Sequence, residues 1–182
     1  VSLGADDDFG LGVAHRAEEA GALHVLGYLL RASSNVGEAL RHLLRYQRLM
    51  QDAAVPELSA GPDEVRVAWR ERDPAWWMPR HAIEFGIGTV LLLTRRATGK
   101  MFCPRRVELR HPRPSNDGAA RRLFGCELRY EAPLHAVVFA SADMELSLTT
   151  ADPLLLRILE RHARELEARL PPQRSFTVEV RR

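Results

Sequence analysis

The hydrophobic pattern of this chain changes period after Asp52, from the spacing of a helix to the alternation of a strand. Before that point Val36, Ala39, Leu40, Leu43, Leu44 and Met50 recur at helical intervals, with Arg41, Arg45 and Arg48 on the other side. Ser34 or Asn35 caps this helix, and Glu38 is placed to complete a capping box. Each of its leucines contributes roughly 1.5–3 kcal/mol if fully buried. After Asp52, Val65, Val67 and Trp69 alternate with Glu64, Arg66 and Arg70. Residues 55–60 and 64–71 flank Gly61-Pro62-Asp63, so an antiparallel hairpin with one buried face is expected.

The remaining elements follow from the same two periods. A helix is expected over 6–17, opened by Asp6, Asp7 and Asp8 at its positive end, and a buried one over 23–32. Pro79 introduces a helix over 80–98 that Gly99 stops, although Gly86 and Gly88 inside it each cost about 1 kcal/mol against alanine. Strands are expected at 105–111, 126–131 and 135–141, and a short helix at 117–124 with Asn116 as its cap. A long last helix runs from Ala151-Asp152-Pro153 to Leu170, with Thr150 as cap. Leu155, Leu159, Leu166 and Leu170 line one of its faces. Glu160 with Arg164, and Glu165 with Arg169, form favourable i, i+4 pairs. This order implies an α+β fold, an antiparallel sheet packed with several helices, between an N-terminal helical segment and a long C-terminal helix. The alternation is too irregular for a doubly wound parallel sheet.

Length and charge narrow the function. A chain of 182 residues with 46% hydrophobic and 27% charged content fits one globular domain. Its 26 basic and 24 acidic residues are interspersed, which leaves no basic face of the kind that grips phosphates. This segment is therefore not expected to bind nucleic acid itself. Cys103 and Cys126 lack a pairing pattern, which fits a reduced, cytoplasmic setting. The acidic start is no signal peptide, and the apolar run from Ala82 to Leu93 holds Glu84 and is too short to span a bilayer, so no membrane contact is expected. Val1 in place of methionine, and Arg181-Arg182 in mid-pattern, read as the two ends of a piece of a longer chain.

No motif for covalent or phosphate chemistry stands out. The glycines at 10, 12, 86 and 88 sit in helical patterns without a preceding strand, and the serines at 33, 34 and 141 have no glycine frame. The seven histidines have no metal-ligand spacing. Cys103 and Cys126 with His111 would be a zinc set; two partly buried thiols are the simpler reading. No cofactor, metal or enzymatic activity is expected. Pocket chemistry is denser around residues 69–84. Trp69, Trp76 and Trp77 lie near Arg80, His81 and Glu84, and ligand sites are mostly apolar and aromatic with a few placed polar groups. Arg80 suits a carboxylate and Glu84 an amine, one helical turn apart. The alternative is that the tryptophans are core and rim and that Glu84 is simply welcome early in its helix. His111, beside two prolines, is either a pocket donor or a structural histidine.

Four stretches carry a family resemblance. LGYLLRASSNVGEALRHLLRYQRLM (26–50), RVELRHPRP (106–114), RRLFGCELRYEA (121–132) and TADPLLLRILERHARELEARLP (150–171) together resemble the N-terminal effector domain of AraC/XylS-type transcription regulators, in its arabinose-binding branch. The resemblance implies that a small metabolite binds here and biases a dimer whose C-terminal helix-turn-helix units grip DNA. It implies an effector-binding and dimerisation domain over 1–174, with 175–182 (SFTVEVRR) leading into that DNA-binding region. It also matches Glu84 to a glutamate on the helix after the first hairpin, and His111 to a histidine before a Pro-x-Pro turn. The Trp76-Trp77 pair, Gly86 and Gly88 depart from the family pattern. The expected site is Trp69, Trp76, Arg80, Glu84 and His111, taking a small, amino-acid-like effector, in a homodimer. The alternatives are a ligand-free dimerisation module and a small enzyme using Glu84 and His111 as acid and base.

Overall fold

Asn35 opens the helix that the sequence marks most clearly. In the computed structural model, which describes residues 9–19, 23–73 and 75–171, its Oδ1 accepts from the Glu38 N–H at 2.8 Å. Glu38 Oε2 accepts in turn from the Ser34 N–H at 2.6 Å, so the box closes across Ser34 and Asn35 together. The elements in chain order are α1 Phe9–Glu19, α2 His24–Ala32, α3 Val36–Arg45, β1 Ala54–Ala60, β2 Glu64–Glu71 and α4 Arg80–Thr98. There follow β3 Arg106–Glu108, α5 Gly118–Phe124, β4 Glu127–Arg129, β5 His135–Ala140 and α6 Pro153–Ala168. Asp6 to Asp8, Pro74 and the 175–182 stretch lie outside the described residues.

The α+β expectation holds. Five strands form one sheet in the order β1-β2-β5-β3-β4. The β1–β2 hairpin pairs antiparallel over its whole length, from Ala54 with Glu71 to Ala60 with Val65. β5 inserts between β2 and β3, antiparallel to both. β3 and β4 are parallel, which local alternation does not foretell. The α5 crossover between them supplies the connection that a parallel pair requires. Both strands are three residues long, shorter than the alternating stretches that contain them.

Register sorts the side chains onto two faces. Val65, Val67 and Trp69 on β2 stand opposite Phe139, Val137 and His135 on β5. Phe139 and Val137 join the helical core, which includes Leu29, Leu30, Leu91 and Phe124. The other face is a lattice of charge. Arg66 reaches Glu108 across β5 at 2.8 Å, and Arg106 pairs with both Glu108 and Glu64. Ala136 and Val138, the β5 residues on that face, are small, and the long side chains of the flanking strands lie over them.

α1 crosses α4 at glycines. A Cβ on Gly10 would collide with the His81 carbonyl, and one on Gly88 would stand 2.9 Å from Leu123 Cδ2. Gly88 is therefore required by packing, whereas nothing lies within 4 Å of a Cβ on Gly86, and nothing in the structure explains that residue. The last helix also differs in detail from its pattern. Asp152, not Thr150, is its cap, accepting from the Leu154 and Leu155 N–H groups at 3.0 Å each. Thr150 donates instead to the Arg31 carbonyl. Leu156 and Ala163 face inward with Leu159, Leu166 and Leu170 of the expected face half-buried alongside them, whereas Leu155 is exposed and Leu156 takes its place at the start of the stripe. Asn116 caps no full helix turn. It accepts from the Gly118 N–H at 2.9 Å, and Asp117 occupies the cap position.

Candidate functional site

Arg80 and Glu84 are one turn apart at the start of α4, and the helical period brings their side chains together. Arg80 Nε donates to Glu84 Oε1 at 2.9 Å. Glu84 is completely buried. A carboxylate so far from water needs compensation, and Arg80 provides a charged part of it.

His111 arrives from the sheet. It continues the inward face of Val107 and Leu109, both fully buried, in the extended chain beyond β3. That period of two aims the ring at α4, where Nε2 lies 3.7 Å from Glu84 Oε1. Its Nδ1 lies 2.9 Å from the Pro112 carbonyl oxygen. Burial lowers the pKa of His111, against the opposing pulls of the Pro112 carbonyl and Glu84, so the ring is neutral at neutral pH.

Two neighbours that the sequence did not single out complete the wall. The rings of Tyr130 and His135 stand 5.7 Å and 6.1 Å from that of His111. Tyr130 directs its hydroxyl to Asp117 at 3.4 Å. His135 is fully buried and accepts the Arg110 N–H on Nδ1 at 3.1 Å. Burial pushes its pKa down to about 4. No local pattern marks these residues, because only strand register sets them beside His111. His81 also belongs to this end of α4, where the Phe9 ring meets it edge-on at 6.0 Å.

The tryptophans divide. Trp69 is half-buried beside His135 in the register, and its Nε1–H donates to Gln47 Oε1 at 2.8 Å. Trp76 is 39% exposed and Trp77 47%, in the turn after Asp73. Arg80, Glu84 and His111 are thus brought into contact. Trp69 lies at the sheet end of the same region, beside His135 in the register, and Trp76 is not brought into contact with it by any interaction among the described residues.

A separate apolar niche of about 270 Å³, including its open mouth, lies between α2, α3, α4 and β5, with Leu43, Val90 and Phe139 among its walls. Its one hydroxyl, on Thr94, is already bonded to the Val90 carbonyl, so it lacks the placed polar groups of a specific site. Among the described residues no three His, Cys, Asp or Glu side chains converge as metal ligands, and no helix is long and apolar enough to cross a membrane.

Comparison with known proteins gives this geometry a context. Residues 2–148 match the family model described as the arabinose-binding domain of AraC transcription regulator, N-terminal. The ornithine utilization regulator of Pseudomonas aeruginosa is 25% identical over 158 residues, covering 87% of this chain and 47% of that protein. The crystal structure of the transcriptional regulator CdpR from Pseudomonas aeruginosa shares the fold, with a TM-score of 0.60 at 18% identity over 86% of this chain and 51% of that one. The chain spans about half the length of each. With the family model matched over most of its length, this chain belongs to the family of N-terminal arabinose-binding domains of AraC transcription regulators.

Proposed function

We propose that this chain is the ligand-sensing and dimerising part of a transcription regulator, and that its effector is a small, amino-acid-like metabolite. The observation that carries the reading is the buried Arg80–Glu84 pair with His111 against it. Arg80 suits the carboxylate of such a ligand and Glu84 its amine, with Trp69 and Trp76 as apolar walls. The name of the ornithine utilization regulator, a relative along most of this chain, supports an amino-acid-like effector. In this reading residues 1–174 form the sensing unit, and 175–182 begin the linker to a helix-turn-helix region that contacts DNA. The protein works in the cytoplasm, and a second copy packs against the exposed Leu154, Leu155 and Ile158 of α6. The relatives are transcription regulators, which makes an acid/base enzyme built on Glu84 and His111 the weaker reading.

The test is a thermal melt against amino acids, polyamines, sugars and short fatty acids. A ligand at 100 times its Kd stabilises the fold by about 2.7 kcal/mol. For a domain of this size the midpoint rises by about 5–10 °C. A selective shift that disappears in Glu84→Ala or Trp69→Ala supports the sensor. A flat panel favours a ligand-free dimerisation module.

A further inference from the structure

The junction of α4 with the chain beyond β3 holds two buried acceptors, Glu84 Oε2 and His111 Nε2, that lack a hydrogen-bond partner. A carbonyl oxygen only accepts, so His111 Nδ1 carries the proton in its contact with Pro112. The neutral ring therefore presents a lone pair at Nε2. Glu84 Oε1 lies 3.7 Å from Nε2, in a carboxylate that also only accepts. Arg80 satisfies Oε1 alone. Glu84 Oε2 and His111 Nε2 are buried and have no hydrogen-bond partner. Glu84 is fully buried and His111 is 2% exposed. Burial disfavours a second proton on the imidazole. Of the nearby polar groups, the Tyr130 hydroxyl is committed to Asp117 and the Arg110 N–H to His135, whereas His81 Nδ1 and His135 Nε2 are themselves buried without a partner.

Unmet buried acceptors are the costly half of a hydrogen bond, and such groups normally have partners. The missing element is a donor with at least two N–H or O–H groups. A carboxylate has none, a hydroxyl has one and water has two, and none of these brings a positive charge. A protonated primary amine has three, and its charge suits Glu84. The Tyr130 and His135 rings beside His111 give the cation aromatic neighbours. We infer that the site takes its ligand through a protonated primary amine, whose N–H groups bridge Glu84 Oε2 and His111 Nε2. The inference rests on reading this cluster as the effector site.

Methylammonium is the minimal probe, and tetramethylammonium the control that carries the same charge without an N–H. Protein labelled with ¹⁵N-histidine is titrated with each, and the His111 Nε2 resonance is assigned by its loss in His111→Asn. That variant keeps a donor for the Pro112 carbonyl and removes the acceptor. Methylammonium should move the Nε2 resonance toward the protonated range, and tetramethylammonium should not. Glu84→Gln should weaken the response by about tenfold or more, the effect of one lost charge-assisted bond. A resonance that stays still, or moves equally with both cations, overturns the inference. The sensor reading fails separately. An effector from the melting panel that lacks an ammonium group, or acts undiminished on Glu84→Gln, removes the amine and leaves the sensor. A flat panel with an Nε2 response to methylammonium keeps the amine subsite and removes the sensor.

Discussion

Gly88 of α4 lies so close to Ala14 of α1 that a methyl group on it would stand 3.2 Å from the alanine Cβ. The same methyl would meet Leu123 Cδ2 at 2.9 Å. Gly88→Ala should therefore destabilise the protein by about 1–3 kcal/mol, as overpacking does in a tight core. Gly86→Ala should act in the opposite direction, because nothing lies within 4 Å of its added methyl. Relief of the glycine penalty inside a helix is worth up to about 1 kcal/mol. Urea unfolding of the two variants checks both signs, and a stabilised Gly88→Ala would remove the close crossing of α1 over α4.

Acid should weaken the fold between pH 6.5 and pH 4. Burial holds His135 at about 4, below the ordinary histidine value of 6.5. As the pH falls through 6.5 the unfolded chain takes up this proton, while the folded chain does so only near 4. The unfolded state therefore gains stability across that window, and the fold loses up to about 3 kcal/mol at this one residue. His111, lowered by the same burial, acts in the same direction. Unfolding free energies measured from pH 7 to 4 should decline, and His135→Asn, which keeps an acceptor for the Arg110 N–H, should flatten the decline. An unchanged slope in that variant would assign the effect to other groups.

Asp152→Ala should cost about 0.5–2 kcal/mol, since two N–H groups at the start of α6 lose their acceptor. Asp152→Asn should recover most of that loss. Melting temperatures of the pair separate the cap from any effect of charge.

Cys126 should alkylate slowly. Burial, with a smaller push from Cys103, raises its thiol to about 11. At pH 8 the thiolate is then scarce, and its modification by iodoacetamide should accelerate about tenfold per pH unit as the pH rises toward 11. Peptide mass spectrometry follows the site directly. A rate at pH 8 equal to that of a free thiol would contradict this environment.

Paired substitutions on α6 address assembly. Leu154 is 62% and Ile158 48% exposed, and they lie four residues apart on the helix. If a second copy covers them, Leu154→Asp with Ile158→Asp should convert a dimer to a monomer in sedimentation without lowering the melting point of the monomer. A dimer that survives both charges would place the interface elsewhere.

Features fixed by near neighbours in the chain were legible in the sequence. The Asn35–Glu38 cap and the β1–β2 hairpin each span a few residues, so helical or strand period and turn chemistry suffice to find them. Features that depend on register across the sheet or on the approach of distant segments were not. The parallel β3–β4 pair, the central place of β5, and the rings of Tyr130 and His135 beside His111 have no local signature. The buried face of α6 was legible at Leu159, Leu166 and Leu170 but not at its start, because Leu154, Leu155 and Leu156 are equally apolar and only the docking of the helix chooses Leu156. Gly88 looked like a flaw in α4 until α1 crossed it. Sequence alone determined the kinds of element and nominated the residues of the candidate site. The tertiary structure decided which of them meet, because burial and register act between residues far apart in the chain, where the periodicity of one segment carries no information about another.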